Sequence, residues 1–342
     1  MTYKHANVER PMFRILIAGL GSIGRRHLNN LRQLGVNDVL LYRTHPGSLE
    51  EAPELPVFTE LTDALAANPN AVVICNPTAY HLKVAIPAAE AGCHLFIEKP
   101  LSHSWGGVER LLSVVQAKHL TGIVGFDLRF DPGLCKVKSL VDEGRIGRLV
   151  AIQAQVGQYL PDWRPWEDYR MGMSARVETG GGVIFDLIHE LDYVSWLMGP
   201  VSHVACFADK VSNLEIETED TAAILLRFEN GAIGTVHLDY IQRIPNRTCR
   251  FIGEKGTVLW DYFAKKVCWF ETGKDTWQAF EYPEYERNDR FLAEMRHFLA
   301  CLRGEEQPKV DLLTGSRVLK VALRAKESVM TEKVCLVDWY RE

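Results

Sequence analysis

The chain has 342 residues, 47% of them apolar and 24% charged, with a formal net charge of −5. The length suggests about two domains, the composition is that of an ordinary globular protein, and the acidic balance argues against nucleic acid or an anionic membrane as a partner. The eight cysteines are scattered without a Cys-x-x-Cys pair, which suits reduced thiols in a cytoplasmic protein better than a disulfide framework or a zinc site. The polar start through Pro11 lacks a signal-peptide core, and no apolar run nears the ~20 residues of a membrane span.

Residues 13–126 alternate short apolar runs with helical patterns. Strands are predicted at Phe13–Ala18, Val39–Tyr42, Ala71–Cys75, His94–Ile97 and Gly122–Phe126, and helices at Gly24–Leu34, Leu61–Ala67, Ala79–Ala91 and Ser104–Lys118. That alternation implies a parallel sheet covered by helices on both faces. The first strand runs straight into Gly19-Leu20-Gly21-Ser22-Ile23-Gly24. In a strand–turn–helix context this Gly-x-Gly-x-x-Gly suits a pyrophosphate. The first glycine allows the turn, the second lets the backbone approach the phosphates, and the third lets helix and strand pack. The helix N-terminus adds unpaired N–H groups and a positive dipole end. Residues 1–126 therefore read as an α/β Rossmann domain that binds a dinucleotide.

The end of the second strand bears on which dinucleotide. An acidic residue there would take a ribose 2′-hydroxyl, but the chain has Tyr42-Arg43-Thr44-His45. A guanidinium matches a 2′-phosphate, so Arg43 favours NADP over NAD, with Arg25 and Arg26 adding positive charge in the first helical turn. The alternative is that Arg43 stacks on the adenine and both cofactors are accepted.

Beyond residue 126 the pattern changes. A helix at Pro132–Glu143 leads into a strand at Leu149–Val156. Later strands are predicted at His203–Phe207, Thr221–Phe228, Ala232–Tyr240, Thr248–Ile252, Thr257–Asp261, Lys266–Phe270 and Trp277–Tyr282. Turn residues separate them and few helices intervene, so they form one large, mostly antiparallel open sheet. A glycine-marked helix, Gly182–Leu197, interrupts the strands, and helices at Asp289–Arg303 and Leu313–Thr331 close the chain, one of them expected to pack back on the first domain. Residues 127–342 thus read as an α+β substrate-binding domain. A homo-oligomer packed through this sheet would cover its open face.

Tyr159, Trp163, Arg164, Trp166, Tyr169, Arg170 and Arg176 form an aromatic and basic stretch before Gly180. Aromatic faces stack on sugar C–H surfaces and arginines clamp carboxylate or phosphate, so the stretch suits an acidic or nucleotide-linked sugar. An interdomain or oligomer-interface loop is the alternative for each residue. Arg129 is open in the same way, between a substrate contact and a salt bridge at the domain junction.

Five motifs in this order make nearly the whole chain resemble the Gfo/Idh/MocA oxidoreductases, which include glucose–fructose oxidoreductase and the inositol dehydrogenases. They are the glycine turn, Asn76-Pro77-Thr78 with His81, Glu98-Lys99-Pro100, Arg129-Phe130, and the run from Gly180-Gly181-Gly182 through His189 to Asp192. The stretch Tyr159 to Arg170 looks like a subgroup associated with bacterial surface-sugar and nonulosonate gene clusters. The resemblance implies an enzyme that exchanges hydride between a nicotinamide cofactor and a hydroxyl or keto group of a sugar, cyclitol or sugar derivative, without a metal. Some relatives instead recycle a tightly bound nicotinamide for epimerisation, sugar–sugar transfer or glycoside cleavage. One is a dinucleotide-sensing regulator, against which the joint presence of Lys99 and His189 argues.

Oxidising an alcohol requires a group that takes the hydroxyl proton. Lys99 lies just past a strand end, on the carboxyl edge where open α/β sheets bind ligands, and the resemblance makes it a catalytic or substrate-binding residue. It implies the same for His189, with Asp186 as its orienter. Asp186 and His189 are three apart, which puts both on one face of a continuous helix. The family commonly shows Asp-x-x-x-His, one residue longer, so Asp186 needs a local helix distortion to reach the site. Asp192 reads as a structural carboxylate. Asn76, Pro77, Thr78, His81, Glu98 and Lys99 join Gly19, Gly21, Ser22, Ile23, Gly24 and Arg43 as the implied cofactor-binding set.

Overall fold

The computed structural model describes residues 13–44 and 55–339; the polar start through Pro11 and His45 lie outside them. The first unit runs β1 (Ile15–Ala18), α1 (Ser22–Gln33), β2 (Val39–Tyr42), β3 (Val57–Phe58), α2 (Leu61–Ala66), β4 (Ala71–Ile74), α3 (His81–Glu90), β5 (His94–Glu98), α4 (Val108–Ala117) and β6 (Gly122–Gly125). Its six strands are parallel throughout, in the order β3-β2-β1-β4-β5-β6. Every residue of β1 is buried because the sheet is covered on both faces. Alternation sends Ile15 and Ile17 to one side and Leu16 and Ala18 to the other, into two separate apolar clusters. Fully burying one such isoleucine is worth roughly 1.5–3 kcal/mol. The short β3 was not predicted, and α1 begins two residues earlier than the expected Gly24.

The second unit contains α5 (Pro132–Asp142), β7 (Leu149–Gly157), α6 (Val183–Asp186), α7 (His189–Met198), β8 (Val201–Asp209), β9 (Thr221–Phe228), β10 (Ile233–Asp239), β11 (Asn246–Gly253), β12 (Gly256–Asp261), β13 (Lys266–Glu271), β14 (Gln278–Glu281), α8 (Arg287–Leu302), α9 (Leu312–Thr331) and β15 (Cys335–Leu336). Nine strands form one sheet, β14-β13-β12-β11-β7-β10-β9-β8-β15. All its pairings are antiparallel except the central β7–β10 pair. The terminal β15 was not predicted.

Two departures from the sequence reading shape the site. The single helix expected over Gly182–Leu197 is two: α6 ends at Asp186 and α7 starts at His189. The segment between β7 and α6 folds into four short 3₁₀ turns that carry the aromatic and basic stretch back toward the parallel sheet. There a Cβ on Gly180 would lie 3.0 Å from the Cβ atoms of both Thr78 and His103. Near the chain end, α8 returns to the first unit. Its Met295, Phe298 and Leu299 share an apolar cluster with Ile15, Ile17, Leu28 and Phe96. A capping box between Glu286 and Asp289 starts this helix.

Candidate active site at the carboxyl edge of the parallel sheet

The glycine turn differs from position to position in what demands glycine. Gly19 has φ +94°, a conformation that L side chains rarely adopt. At Gly24 a Cβ would lie 2.2 Å from the Gly19 carbonyl oxygen, so helix and turn could not close. Gly21 is different: its φ of −73° suits any residue, and a Cβ there would meet nothing within 4 Å. Nothing inside the protein calls for glycine at this position, and a pyrophosphate lying against the backbone would. Gly21 caps α1 without a side-chain bond, and no acidic residue opposes an anion in the first turn. Across the strand ends, Asn76 has a buried Oδ1 with no hydrogen-bond partner among the described residues. Glycine turn, free helix start and orphaned amide oxygen fit a bound dinucleotide.

Lys99 follows β5 directly and precedes Pro100 through a cis peptide bond. Its Nζ donates to the Asp186 carbonyl oxygen at 2.6 Å and to Asp186 Oδ1 at 3.2 Å. The other carboxylate oxygen, Oδ2, accepts from the Ser174 hydroxyl and from Tyr240 Oη at 3.2 Å. Burial alone would raise the Asp186 pKa, but Lys99, Ser174 and Tyr240 outweigh it and keep the carboxyl below its ordinary value. The helix break explains how Asp186 gets there. Ending α6 at residue 186 turns its side chain and its free carbonyl toward Lys99, while His189 restarts the helix facing elsewhere. The expectation that both share one helix face is thereby corrected.

His189 Nε2 lies 3.2 Å from Asp127 Oδ1. Asp127 Oδ2 accepts from Arg290 Nε, and Arg290 Nη1 donates to Tyr262 Oη at 2.6 Å. The His189 ring meets Phe126 edge-on at 5.8 Å between centroids, and its Nδ1 is buried with no hydrogen-bond partner among the described residues. Burial holds the imidazole pKa well below its ordinary value, and the Lys99, Arg247 and Arg290 charges reinforce this against the pull of Asp127. Asp127 is displaced the other way from a buried acid: burial pushes it up, but Arg290 and His189 win and it stays ionised far into acid.

Several sequence-predicted residues are engaged elsewhere. His81 is buried, with Nδ1 2.8 Å from the Pro100 carbonyl oxygen and Nε2 2.9 Å from that of Asn76. The ring sits between the two loops with a carbonyl oxygen against each nitrogen; burial keeps it neutral, so it donates to one of them. The Glu98 carboxylate faces inward to His27 Nε2 at 2.6 Å, and the Thr78 hydroxyl is buried against Met173; in both, only the backbone is left to face a ligand. Arg129 takes the junction role of its two: Nε and Nη2 each donate to Asp192 at 2.8 Å, with Trp196 stacked 4.5 Å from the guanidinium. At 6% exposure its guanidinium sits in the salt bridge, the second of the two readings the sequence leaves open. Arg26 turns to Asn288 and Phe291 of α8 rather than to the glycine turn. In the aromatic stretch, Tyr159 carries the Arg243 guanidinium 3.6 Å above its ring and Trp163 meets Tyr240 edge-on. Tyr169 accepts from the Glu215 amide. Arg164 pairs with Glu167, and Arg170 with Asp168 and Glu215, all at the surface, so carboxylates of the chain already hold these two arginines.

Asp127, Ser174, Tyr240 and Arg290 were missed. Asp127 had a usable signal, an acidic residue at the strand end beside Arg129-Phe130. The others come from distant segments with no local pattern.

A Rossmann sheet with a ligand-dependent glycine turn, and a lysine–carboxylate pair at its carboxyl edge, defines a dinucleotide-binding oxidoreductase. Residues 13–126 match the family described as oxidoreductase family, NAD-binding Rossmann fold, and residues 134–259 match the GFO/IDH/MocA C-terminal domain. The chain belongs to the Gfo/Idh/MocA oxidoreductase family. It is 30% identical over 337 residues to the myo-inositol 2-dehydrogenase of Thermotoga maritima, covering 92% of this chain and 96% of that one. It is 26% identical over 327 residues to the UDP-N-acetylglucosamine 3-dehydrogenase of Acidithiobacillus ferrooxidans, covering 92% and 96%. The WlbA dehydrogenase of Bordetella pertussis, solved with NADH and UDP-GlcNAcA, superposes with a TM-score of 0.80 at 25% identity, covering 95% of this chain and 99% of that one.

Proposed function

We propose that this protein is an NAD(P)-dependent dehydrogenase or reductase acting on a CH–OH or keto group of a sugar, cyclitol or nucleotide-linked sugar. The observation that carries the reading is the Lys99–Asp186 pair at the edge where the glycine turn would place a dinucleotide. Similar proteins named as cyclitol and UDP-sugar dehydrogenases support the substrate class. Gly19, Gly21, Ser22, Ile23 and Gly24 would hold the pyrophosphate and Asn76 would take a polar group further along. Arg43, whose amide pairs with the Phe58 carbonyl beside the end of β2, would favour NADP through its 2′-phosphate. When bound, the nicotinamide supplies hydride exchange with the substrate carbon.

The protein's own part is the proton. Lys99 has three donors and Asp186 accepts two, leaving the third for a substrate oxygen. His189, neutral through burial, is the second acid–base group. An oligomer through the open face of the nine-stranded sheet is supported by Phe207, Leu225 and Ile233, all exposed on that face.

The test is a panel of myo-inositol, levoglucosan and UDP-N-acetylglucosamine with NADP and NAD, read by nicotinamide absorbance, with Lys99→Met beside the wild type. The variant should lose roughly 10²–10⁴-fold in kcat/KM while binding the cofactor as before. Full activity in Lys99→Met, or no NADPH or NADH binding by the wild type, overturns the reading.

A further inference from the structure

We infer that Ser174 is a positioning residue for the Lys99–Asp186 pair: its hydroxyl fixes the Asp186 carboxylate, and through it the point at which the Lys99 ammonium is held. The inference rests on the reading of Lys99 as the group that exchanges the substrate proton.

An ionised carboxylate only accepts hydrogen bonds, so the donors around it set its orientation. Lys99 donates to Oδ1, and that bond alone would let the carboxylate turn together with the lysine. Oδ2 takes two further donors from other parts of the chain, the Ser174 hydroxyl and Tyr240 Oη. With these in place, Oδ1 and the Asp186 carbonyl oxygen form one fixed pair of acceptors, and Lys99 Nζ sits 3.2 and 2.6 Å from them.

Ser174 grips both ends of the single turn of α6. It lies in the 3₁₀ turn Met173–Ala175. Its carbonyl oxygen accepts from the amide of Gly182, the residue that caps the start of α6, at 3.1 Å. Its side chain meets Asp186, the last residue of that helix. The Thr218 hydroxyl also donates to the Ser174 carbonyl at 2.8 Å, and the Glu217 amide to that of Ala175 at 2.9 Å, so the turn is anchored by the segment before β9. The glycine run is shaped to it. A Cβ on Gly181 would lie 2.3 Å from the Met173 carbonyl oxygen and 2.6 Å from that of Ser174, so a side chain there would push the turn off α6. The same turn reaches the other side of the site, where the Thr78 hydroxyl donates to Met173 Sδ.

The titratable groups facing Asp186 are Lys99, beyond the end of β5, and Tyr240, beyond the end of β10. Burial raises the Tyr240 hydroxyl well above its ordinary value, which keeps it a neutral donor. Glu219, which acts on Tyr240, is paired with Lys326 of α9, and His189 of α7 is kept neutral by burial. Lys99, Ser174 and Tyr240 therefore hold Asp186 ionised against its burial, and the serine is the one of the three that carries no titratable group of its own.

The test compares Ser174→Ala and Ser174→Thr with the wild type on the panel compound that is turned over. Ser174→Ala should lower kcat roughly 10–100-fold, the worth of one hydrogen bond to a charged group, with KM within about threefold. The acidic limb of its kcat profile should move to higher pH, because Asp186 loses one of the donors that keep it ionised. Ser174→Thr keeps the hydroxyl and should restore both. Independently of turnover, the carboxyl ¹³C signal of Asp186 is followed against pH in the aspartate-labelled full chain, with Asp186→Asn assigning it. The wild-type signal should titrate below the ordinary aspartate value of about 3.9, and that of Ser174→Ala at higher pH than the wild type. A wild-type Asp186 that titrates above the ordinary value overturns the proposal even if Ser174→Ala does not fold. So does a Ser174→Ala protein with kcat within about threefold of the wild type and an unmoved acidic limb. A rise in KM alone also overturns it and makes Ser174 a substrate contact. The expected ¹³C titrations with no turnover of any panel compound uphold the positioning of Asp186 and count against the activity reading alone.

Discussion

Replacing Arg129 with methionine separates the two roles that the sequence left open for it. The guanidinium makes two charge-assisted hydrogen bonds of 2.8 Å to Asp192, a residue that is fully buried at the start of α7. Burial already pushes the Asp192 carboxyl above its ordinary value, with Arg129 pulling against it. Methionine fills similar volume but leaves that carboxylate unpaired, a change that costs about 3–5 kcal/mol. The lost stacking on Trp196 adds roughly 0.5–2 kcal/mol. At about 2–4 °C per kcal/mol for a unit of this size, the melting temperature should fall by on the order of 10 °C. Urea titration and thermal melting read the loss, and steady-state kinetics on the panel substrate read KM. The double variant Arg129→Met with Asp192→Leu should regain most of the stability, since removing both charges leaves nothing unpaired. If the single variant melts like the wild type while KM rises by an order of magnitude, the ion-pair assignment is wrong and Arg129 is a substrate ligand.

Glu294 of α8 is buried with Oε2 unpaired among the described residues, and burial, aided by Asp127 and Glu98, raises its carboxyl well above the ordinary value. A raised acid contributes stability that is present below its unfolded pKa of about 4.3 and is lost as pH rises. Glu294→Gln should therefore gain on the wild type as the pH rises above the unfolded carboxyl range, by up to about 1.4 kcal/mol per pH unit; a gap that does not change with pH in parallel melts would refute this. Arg43→Ala should weaken NADPH about 10–100-fold, the worth of one or two charge-assisted hydrogen bonds, and NADH by no more than about threefold, in fluorescence titrations. Equal weakening of both would leave Arg43 as an adenine contact.

What the sequence disclosed follows from how local each cause is. The four residues of β1 are apolar on both faces because both faces are covered, and that condition is written into consecutive positions. Gly19 and Gly24 answer to backbone constraints within one turn. Arg129 was ambiguous because a sequence supplies a charge without its partner: Asp192 stands 63 positions away. Tyr240 and Arg290 were invisible for the same reason, each meeting its carboxylate across the fold. His81 shows the opposite error. A motif residue next to a cofactor loop invites a ligand role, yet its ring is packed between the Asn76 and Pro100 carbonyls.

The break between α6 and α7 was hidden for a further reason. Val183 through Leu191 is buried at every position, as expected of one helix packed on every side. No glycine or proline marks the stop at Leu187. Its consequence is chemical. In an unbroken helix, Asp186 and His189 would share a face and Asp186 would be the nearest anion to the imidazole. With the helix interrupted, Asp186 turns to Lys99 and the imidazole meets Asp127. The short Asp-x-x-His spacing thus goes with a redistribution of carboxylates, one for the lysine and another, from a different segment, for the histidine.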